Sequence, residues 1–165
     1  MLILDSSSII LLAKVRLLEK FLTGKQAVIP LSVYNESVIR GKDKGREDAY
    51  LIEALVKNGK IKVSEPNKPT CKEVGSLFNL HGGERDVLAL AKDMNIKCII
   101  CDDKKAINAC KILELKFITA LNVIIAMCLK GKISKEEAEK QIDMLDELGW
   151  YNIRIIKKAR QDIDA

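Results

Sequence analysis

Asp5, Glu36, Glu84 and the pair Asp102-Asp103 are the acids of this chain best placed to do chemistry. Asp5 ends the apolar run Leu2 to Leu4, and Asp102-Asp103 ends the run Cys98 to Cys101. Such runs read as short strands buried on both faces. In open α/β sheets, sites form at the carboxyl ends of strands. If these two strands are neighbours, their acids face each other. Carboxylates held close together repel, and one takes up a proton unless a cation lies between them. Mg²⁺ or Mn²⁺ prefers oxygen ligands and keeps several waters. Such an ion can generate hydroxide and stabilise the leaving oxygen of a phosphodiester. Glu36 lies one turn into the helix after the second strand. Glu84 opens a helix behind Gly82-Gly83, where the missing side chains would let backbone and substrate approach closely. Each acid also has a plain structural reading. First-turn acids complement the helix dipole, Asp5 fits an N-cap, and Asp102-Asp103 fits a turn or cap.

The elements that must position these acids can be read from apolar periodicity and punctuation. Strands are expected at Leu2–Leu4, Ala27–Ile29, Ile61–Val63, Cys98–Cys101 and Lys116–Ile118. Ser6, Ser7 and Ser8 are N-cap types, and helices follow through Ile9–Lys14 and Leu17–Leu22. Further helices are expected around Val33–Ile39 and over Asp48–Lys57, the latter burying Tyr50, Leu51, Ala54 and Leu55. Another is capped by Thr70 and runs to Leu80, and one spans Glu84–Met94 with Val87, Leu88, Leu90 and Ala91 inward. Others pass through Ala106–Leu113 and Val123–Leu129. Ser134 and Glu137 form the S-x-x-E capping box of a helix over Lys135–Leu148. A last helix covers Asn152 to Ile163. Strands alternating with helices give an α/β fold, a three-layer α/β/α arrangement with a mainly parallel central sheet. The main α/β domain is expected over residues 1–130, with 131–165 as its helical extension. Trp150, Tyr151 and Ile153 are candidates there for an exposed apolar contact.

At 165 residues with 48% hydrophobic and 31% charged side chains, the chain is long enough to bury one core and too apolar for disorder. A net charge of +5 is compatible with a polyanionic partner without requiring one. An aromatic content of 4% argues against a multi-base stacking platform. The five cysteines are odd in number, and Cys98 and Cys101 point to opposite faces of a strand, so buried free thiols are expected rather than a zinc or redox site. Ser6 to Ala13 is too short to span a bilayer, and no basic residue precedes it, which points to the cytoplasm and to no membrane partner. The serines at a strand end lack G-x-S-x-G, and His81 is the chain's only histidine, so a serine hydrolase is disfavoured. A haloacid-dehalogenase-type enzyme would need an acid where Ser7 stands. A receiver domain would carry its acidic pair at the first strand. No nucleotide-binding loop is present.

Four segments, taken in order, resemble the PIN-domain nucleases: LILDSSSIILLAKVRLLEKFL, PLSVYNESV, HGGERDVLALA and IICDDKKA. They are most similar to a branch of PIN-like prokaryotic nucleic-acid-binding proteins, over about residues 1 to 130. The resemblance implies catalytic and metal-holding acids at Asp5, Glu36, Glu84 and Asp102, with Asp103 as a further metal ligand and a rival to Asp102 for the fourth place. It implies a supporting role for Ser7. It further implies Mg²⁺ or Mn²⁺ as cofactor, single-stranded RNA as substrate, and for many members an antitoxin protein partner and a homodimer. Lys104 and Lys105 are candidate phosphate contacts, although a solvated charged surface explains them as well. The chain reads Thr119-Ala120 where many members have Gly-Thr, and it lacks the arginine that often follows the paired acids. The alternative is a PIN-like module that binds nucleic acid or protein without cleaving.

Overall fold

A computed structural model describes residues 1–165. Five short strands, β1 (Leu2–Leu4), β2 (Ala27–Pro30), β3 (Ile61–Ser64), β4 (Cys98–Ile100) and β5 (Lys116–Ile118), form one sheet in the order β3-β2-β1-β4-β5. Every pairing is parallel, with Leu2 opposite Ala27, Ile3 opposite Ile99 and Leu4 opposite Ile100. Ile3, Leu4, Val28, Ile29, Ile99 and Ile100 are fully buried, which is why these strands read as unbroken apolar runs rather than alternating ones.

The chain starts in the middle of the sheet, builds β2 and β3 to one side, then crosses to β4 and β5 on the other. β1 and β4 therefore flank the point where strand order reverses, and a crevice opens at their carboxyl ends. Helices α1 (Ser6–Lys14), α2 (Leu18–Phe21), α3 (Leu31–Tyr34), α4 (Arg40–Asp43), α5 (Glu47–Lys57), α6 (Lys68–Phe78), α7 (Gly82–Asp93), α8 (Lys104–Ile112), α9 (Ala120–Leu129), α10 (Lys135–Glu147) and α11 (Ile153–Asp164) complete the fold. α1 packs against α5 and α9 in one layer, and α6, α7 and α8 pack in series in the other. The result is the three-layer α/β/α arrangement that the alternation of strands and helices implies. α10 and α11 pack on α9, and Ala138, Ile142, Leu145, Ile156, Ala159 and Ile163 join the same buried cluster as the sheet.

Several local readings change. α5 buries Asp48, Ala49, Ile52 and Leu55, whereas Ala54 and Tyr50 are exposed, the Tyr50 ring under Lys42 at 5.4 Å. The spacing 49-52-55 is the true helical stripe, and an aromatic placed one residue off it can still rest on a lysine stem. α6 starts at Lys68 behind Asn67, with Pro69 in its first turn, where a missing N–H costs nothing. Thr70 is consequently inside the helix, and its hydroxyl donates to Asp93 at 2.6 Å instead of capping. Ser134 accepts the Glu137 N–H at 3.0 Å, but the Glu137 carboxylate turns to Lys20, so only half of the capping box forms. A full box closes instead at Thr119 and Asn122, ahead of α9. Of the thiols only Cys101 and Cys110 are buried; Cys71, Cys98 and Cys128 are partly exposed. No helix is long and apolar enough to cross a membrane.

Leu88 of α7 is fully buried. Leu88→Ala should lower unfolding free energy by about 2–5 kcal/mol, read as a fall in the denaturant midpoint with an unchanged slope.

Candidate active site

The crevice at the ends of β1 and β4 is acidic. Asp5, Glu36, Glu84 and Asp103 line one cavity of about 150 Å³ together with Ser6, Ser7, His81 and Gly83. Each comes from a different turn of the fold. Asp5 follows β1 and caps α1, accepting the Ser8 N–H at 2.7 Å. Its own N–H continues the sheet by donating to Ile100 O at 3.0 Å, which fixes it beside the end of β4. Glu36 lies in a π-helical stretch, Asn35–Ile39, between α3 and α4. Inserting a wider turn re-aims the side chains around it, and such turns are frequent at functional sites. Glu84 is in the first turn of α7, and Asp103 caps α8 by accepting the Ala106 N–H at 2.8 Å.

The first turn of α1 shares three hydroxyls among the acids. Successive residues of a helix point about 100° apart. Ser6 donates to Glu36 Oε2, Ser7 donates to Asp5 at 2.9 and 3.0 Å, and Ser8 donates to Asp102 Oδ2 at 2.6 Å. Ser7 was the only one of the three that the sequence marked for a supporting role. The contacts of Ser6 and Ser8 span 30 and 94 residues, and no local pattern announces them.

The glycines before Glu84 also make room inside the cluster. Gly82 adopts φ +61, and Gly83, which lines the cavity, is buried against a carboxylate. A Cβ on Gly83 would stand 3.2 Å from Glu36 Oε2 and 3.4 Å from Ser6 Oγ. The missing side chain therefore makes room for Glu36. No side chain caps the N-terminus of α7, so its free N–H groups and positive dipole end face the acids.

Asp102 and Asp103 part company. Asp103 lines the acidic cavity; Asp102 does not. Asp102 is 6% exposed and turned into the protein, where it accepts from Ser8, from the Ala120 N–H at 2.9 Å and from the Tyr151 hydroxyl. Asp102 was the expected catalytic acid and a metal ligand; the structure places it in a hydrogen-bonded anchor between β4, α9 and the turn before α11. Asp86, two residues after Glu84, is also apart from the cluster, paired with Arg85 at 2.7 Å. Lys104 and Lys105 are exposed at the start of α8.

The chain matches the family model of the PIN domain, DUF3368, over residues 1–164. It belongs to the PIN-domain family. Over 83 residues it is 36% identical to the endoribonuclease Nob1 of Pyrococcus abyssi (strain GE5 / Orsay), a stretch that is 46% of this chain and 51% of that protein. The chain thus spans about half the length of that curated relative.

In this PIN domain the acids are uncomfortable without a counter-charge. Burial pushes the Asp5 carboxyl up to about 6, and the charge of Asp102 adds to it, while bonds from Ser7 and Ser8 pull the other way. Burial raises Glu84 above the usual range as well, and Asp103 and Glu36 push in the same direction against Lys105 and His81. No three acidic, histidine or cysteine side chains form a ready ligand cage. The donor set nonetheless fits a small hard cation. It consists of carboxylate oxygens, and the cavity of about 150 Å³ has room for about five waters at liquid density. Mg²⁺ is commonly held by one or two carboxylates while keeping much of its water.

A raised carboxyl makes the fold lose stability as pH rises. Between 3.8 and about 6 the unfolded chain releases the Asp5 proton while the folded one keeps it, so stability is highest below that window and levels off above it. The loss for Asp5 alone is about 3 kcal/mol. Asn caps a helix as Asp does. In EDTA, Asp5→Asn should therefore be the more stable protein at pH 7 and should lack this part of the slope. Parallel pH profiles of urea unfolding for the two proteins would contradict the assignment.

Proposed function

We propose that the chain is a Mg²⁺- or Mn²⁺-dependent nuclease that hydrolyses phosphodiesters of single-stranded RNA at this acidic cavity. One observation carries the reading: Asp5, Glu36, Glu84 and Asp103, from four separate parts of the chain, line one small cavity at the reversal point of the sheet. Membership of the PIN-domain family and the likeness to an endoribonuclease support it. Those four side chains would hold the ion, with Asp103 rather than Asp102 in the fourth place. A bound ion of this kind supplies hydroxide at neutral pH and charge for the leaving oxygen.

The chain's own residues do the remaining work. Ser6 and Ser7 hold Glu36 and Asp5 in fixed orientations by donating to them. Gly83 lets the Glu36 carboxylate into the cavity. Lys104 and Lys105 place positive charge beside Asp103, where a phosphate must approach four acids, and cations there offset the repulsion.

Cleavage of a labelled single-stranded RNA should require Mn²⁺ or Mg²⁺ and fall about a hundredfold or more in Asp5→Asn and in Asp103→Asn. Mn²⁺ should raise the melting temperature of wild type and of Asp102→Asn, but not that of Asp5→Asn. Full activity in Asp5→Asn would sink the reading, and RNA binding without cleavage by wild type would favour a binding module. The toxin role that the resemblance implies has a separate test. Overexpression should arrest growth, and a small protein encoded beside the gene should relieve the arrest; a lone gene with no growth effect argues against that role and leaves the nuclease standing.

A further inference from the structure

A second, larger cavity of about 740 Å³ adjoins the acidic one, and Asp103 lines both. Its walls come from the first turn of α8, carrying Lys104 and Lys105, and from the turn between α10 and α11, carrying Trp150. Neither lysine has a carboxylate partner, although ten ion pairs form elsewhere. Trp150 is the chain's only tryptophan and is 50% exposed. It stands on a turn, outside the apolar stripe of either helix. Half of this large aromatic surface is therefore free to meet a ligand.

The turn is nonetheless held in place. Tyr151 donates its hydroxyl to Asp102 and accepts the Leu121 N–H at 3.3 Å. Asp102 is in turn fixed by Ser8 and by the Ala120 N–H. The residue next to Trp150 is therefore locked to the residue next to Asp103. An exposed ring and two unpaired cations are thus assembled beside the acidic cavity by one buried hydrogen-bond chain.

We propose that this cavity is a nucleotide subsite for single-stranded RNA, in which Trp150 stacks on a base flanking the cleaved phosphate and Lys104 and Lys105 contact neighbouring phosphates. The proposal rests on the nuclease reading above and adds where the strand lies. Every base presents a face for stacking, so the subsite is tolerant of sequence. A duplex would keep its bases paired and stacked away from the ring. Asp102 also borders this cavity, but its carboxylate oxygens are taken up by Ser8, the Ala120 N–H and Tyr151, so it acts here as a positioning residue that holds the turn. A low aromatic content excludes a long stacking platform, yet a single base needs only one ring.

Because Trp150 is the sole tryptophan, its fluorescence reports this subsite alone. Titrating Asp5→Asn protein with a short oligouridylate should quench that emission to saturation, and the matching RNA duplex should not. Affinity for a fluorescein-labelled oligonucleotide should fall about tenfold or more in Trp150→Ala and be largely retained in Trp150→Phe, which keeps a ring. Replacing Lys104 and Lys105 together by Ala should flatten the dependence of log affinity on log salt by about 0.7 for each phosphate that the lysines neutralise. If wild type cleaves the RNA while Trp150 emission stays flat and Trp150→Ala binds normally, the subsite is wrong and the nuclease survives. Equal quenching by duplex overturns the single-strand assignment. No binding and no cleavage of any RNA removes both proposals.

Discussion

A carboxylate that is 3% exposed, with other acids close by, is an expensive thing to fold, and much of the local structure around Asp5 can be understood as offsetting that expense. Removing a charge from water disfavours it, and like charges nearby disfavour it further. The fold answers with fixed dipoles. Asp5 accepts a backbone N–H from Ser8, a hydroxyl from Ser7 and, at 3.3 Å, the N–H of Asp102. The N-termini of α1 and α7 bring their positive ends to the same crevice. These contacts reduce the cost without removing it, since the Asp5 carboxyl remains well above its ordinary range. What remains is a standing preference for a proton or a cation, and a site with such a preference is suited to gripping a small hard ion.

The same constraint explains why the chain is irregular where it could have been regular. Glu36 reaches the cluster from a π-helical stretch, in which Ser37 bonds back to the Val33 carbonyl at 2.7 Å. Gly83 has no side chain because the Glu36 carboxylate occupies the space a methyl would need. A wider helical turn and an absent Cβ are both departures from the stablest local choice, and both serve to admit one acid. Local rules are commonly broken at functional sites for this reason.

Much of this was legible in the sequence. The central strands could be read because apolar runs ended on acids, and the sheet's parallel character followed from strands alternating with helices. The cavity acids could be placed near strand ends and helix starts, although Asp5 and the Asp102-Asp103 pair also read as caps and Glu36 and Glu84 as first-turn acids that complement a helix dipole. Pairings made across long separations could not be read. Ser8 meets Asp102 across 94 residues and Tyr151 meets it across 49, and nothing in either segment encodes its partner. The inward face of α5 was misjudged at Tyr50 because an aromatic next to an apolar stripe looks like part of it, and only the position of Lys42 shows why it can stay outside. Thr70 looked like a cap because caps are chosen by side-chain type, whereas the start of α6 was set by Pro69.

The pair Asp102-Asp103 shows how two identical neighbours acquire opposite roles. Asp103 has φ −77 and ψ 129, an extended backbone, and consecutive side chains of extended chain point to opposite sides. One of the two must turn inward and the other toward the crevice, and the register of β4 on β1, with Leu4 opposite Ile100, decides which. The inward one is buried and must be fully hydrogen-bonded, a need that Ser8, Ala120 and Tyr151 meet. Those three partners belong to α1, to α9 and to the turn before α11, so satisfying one buried carboxylate ties the last part of the chain to the edge of the acidic crevice. Losing the inward acid would therefore untie three elements around the site, whereas losing the outward one would remove a carboxylate from the crevice and the cap of a single helix, α8. Two residues with the same side chain thus differ in how many elements each one joins.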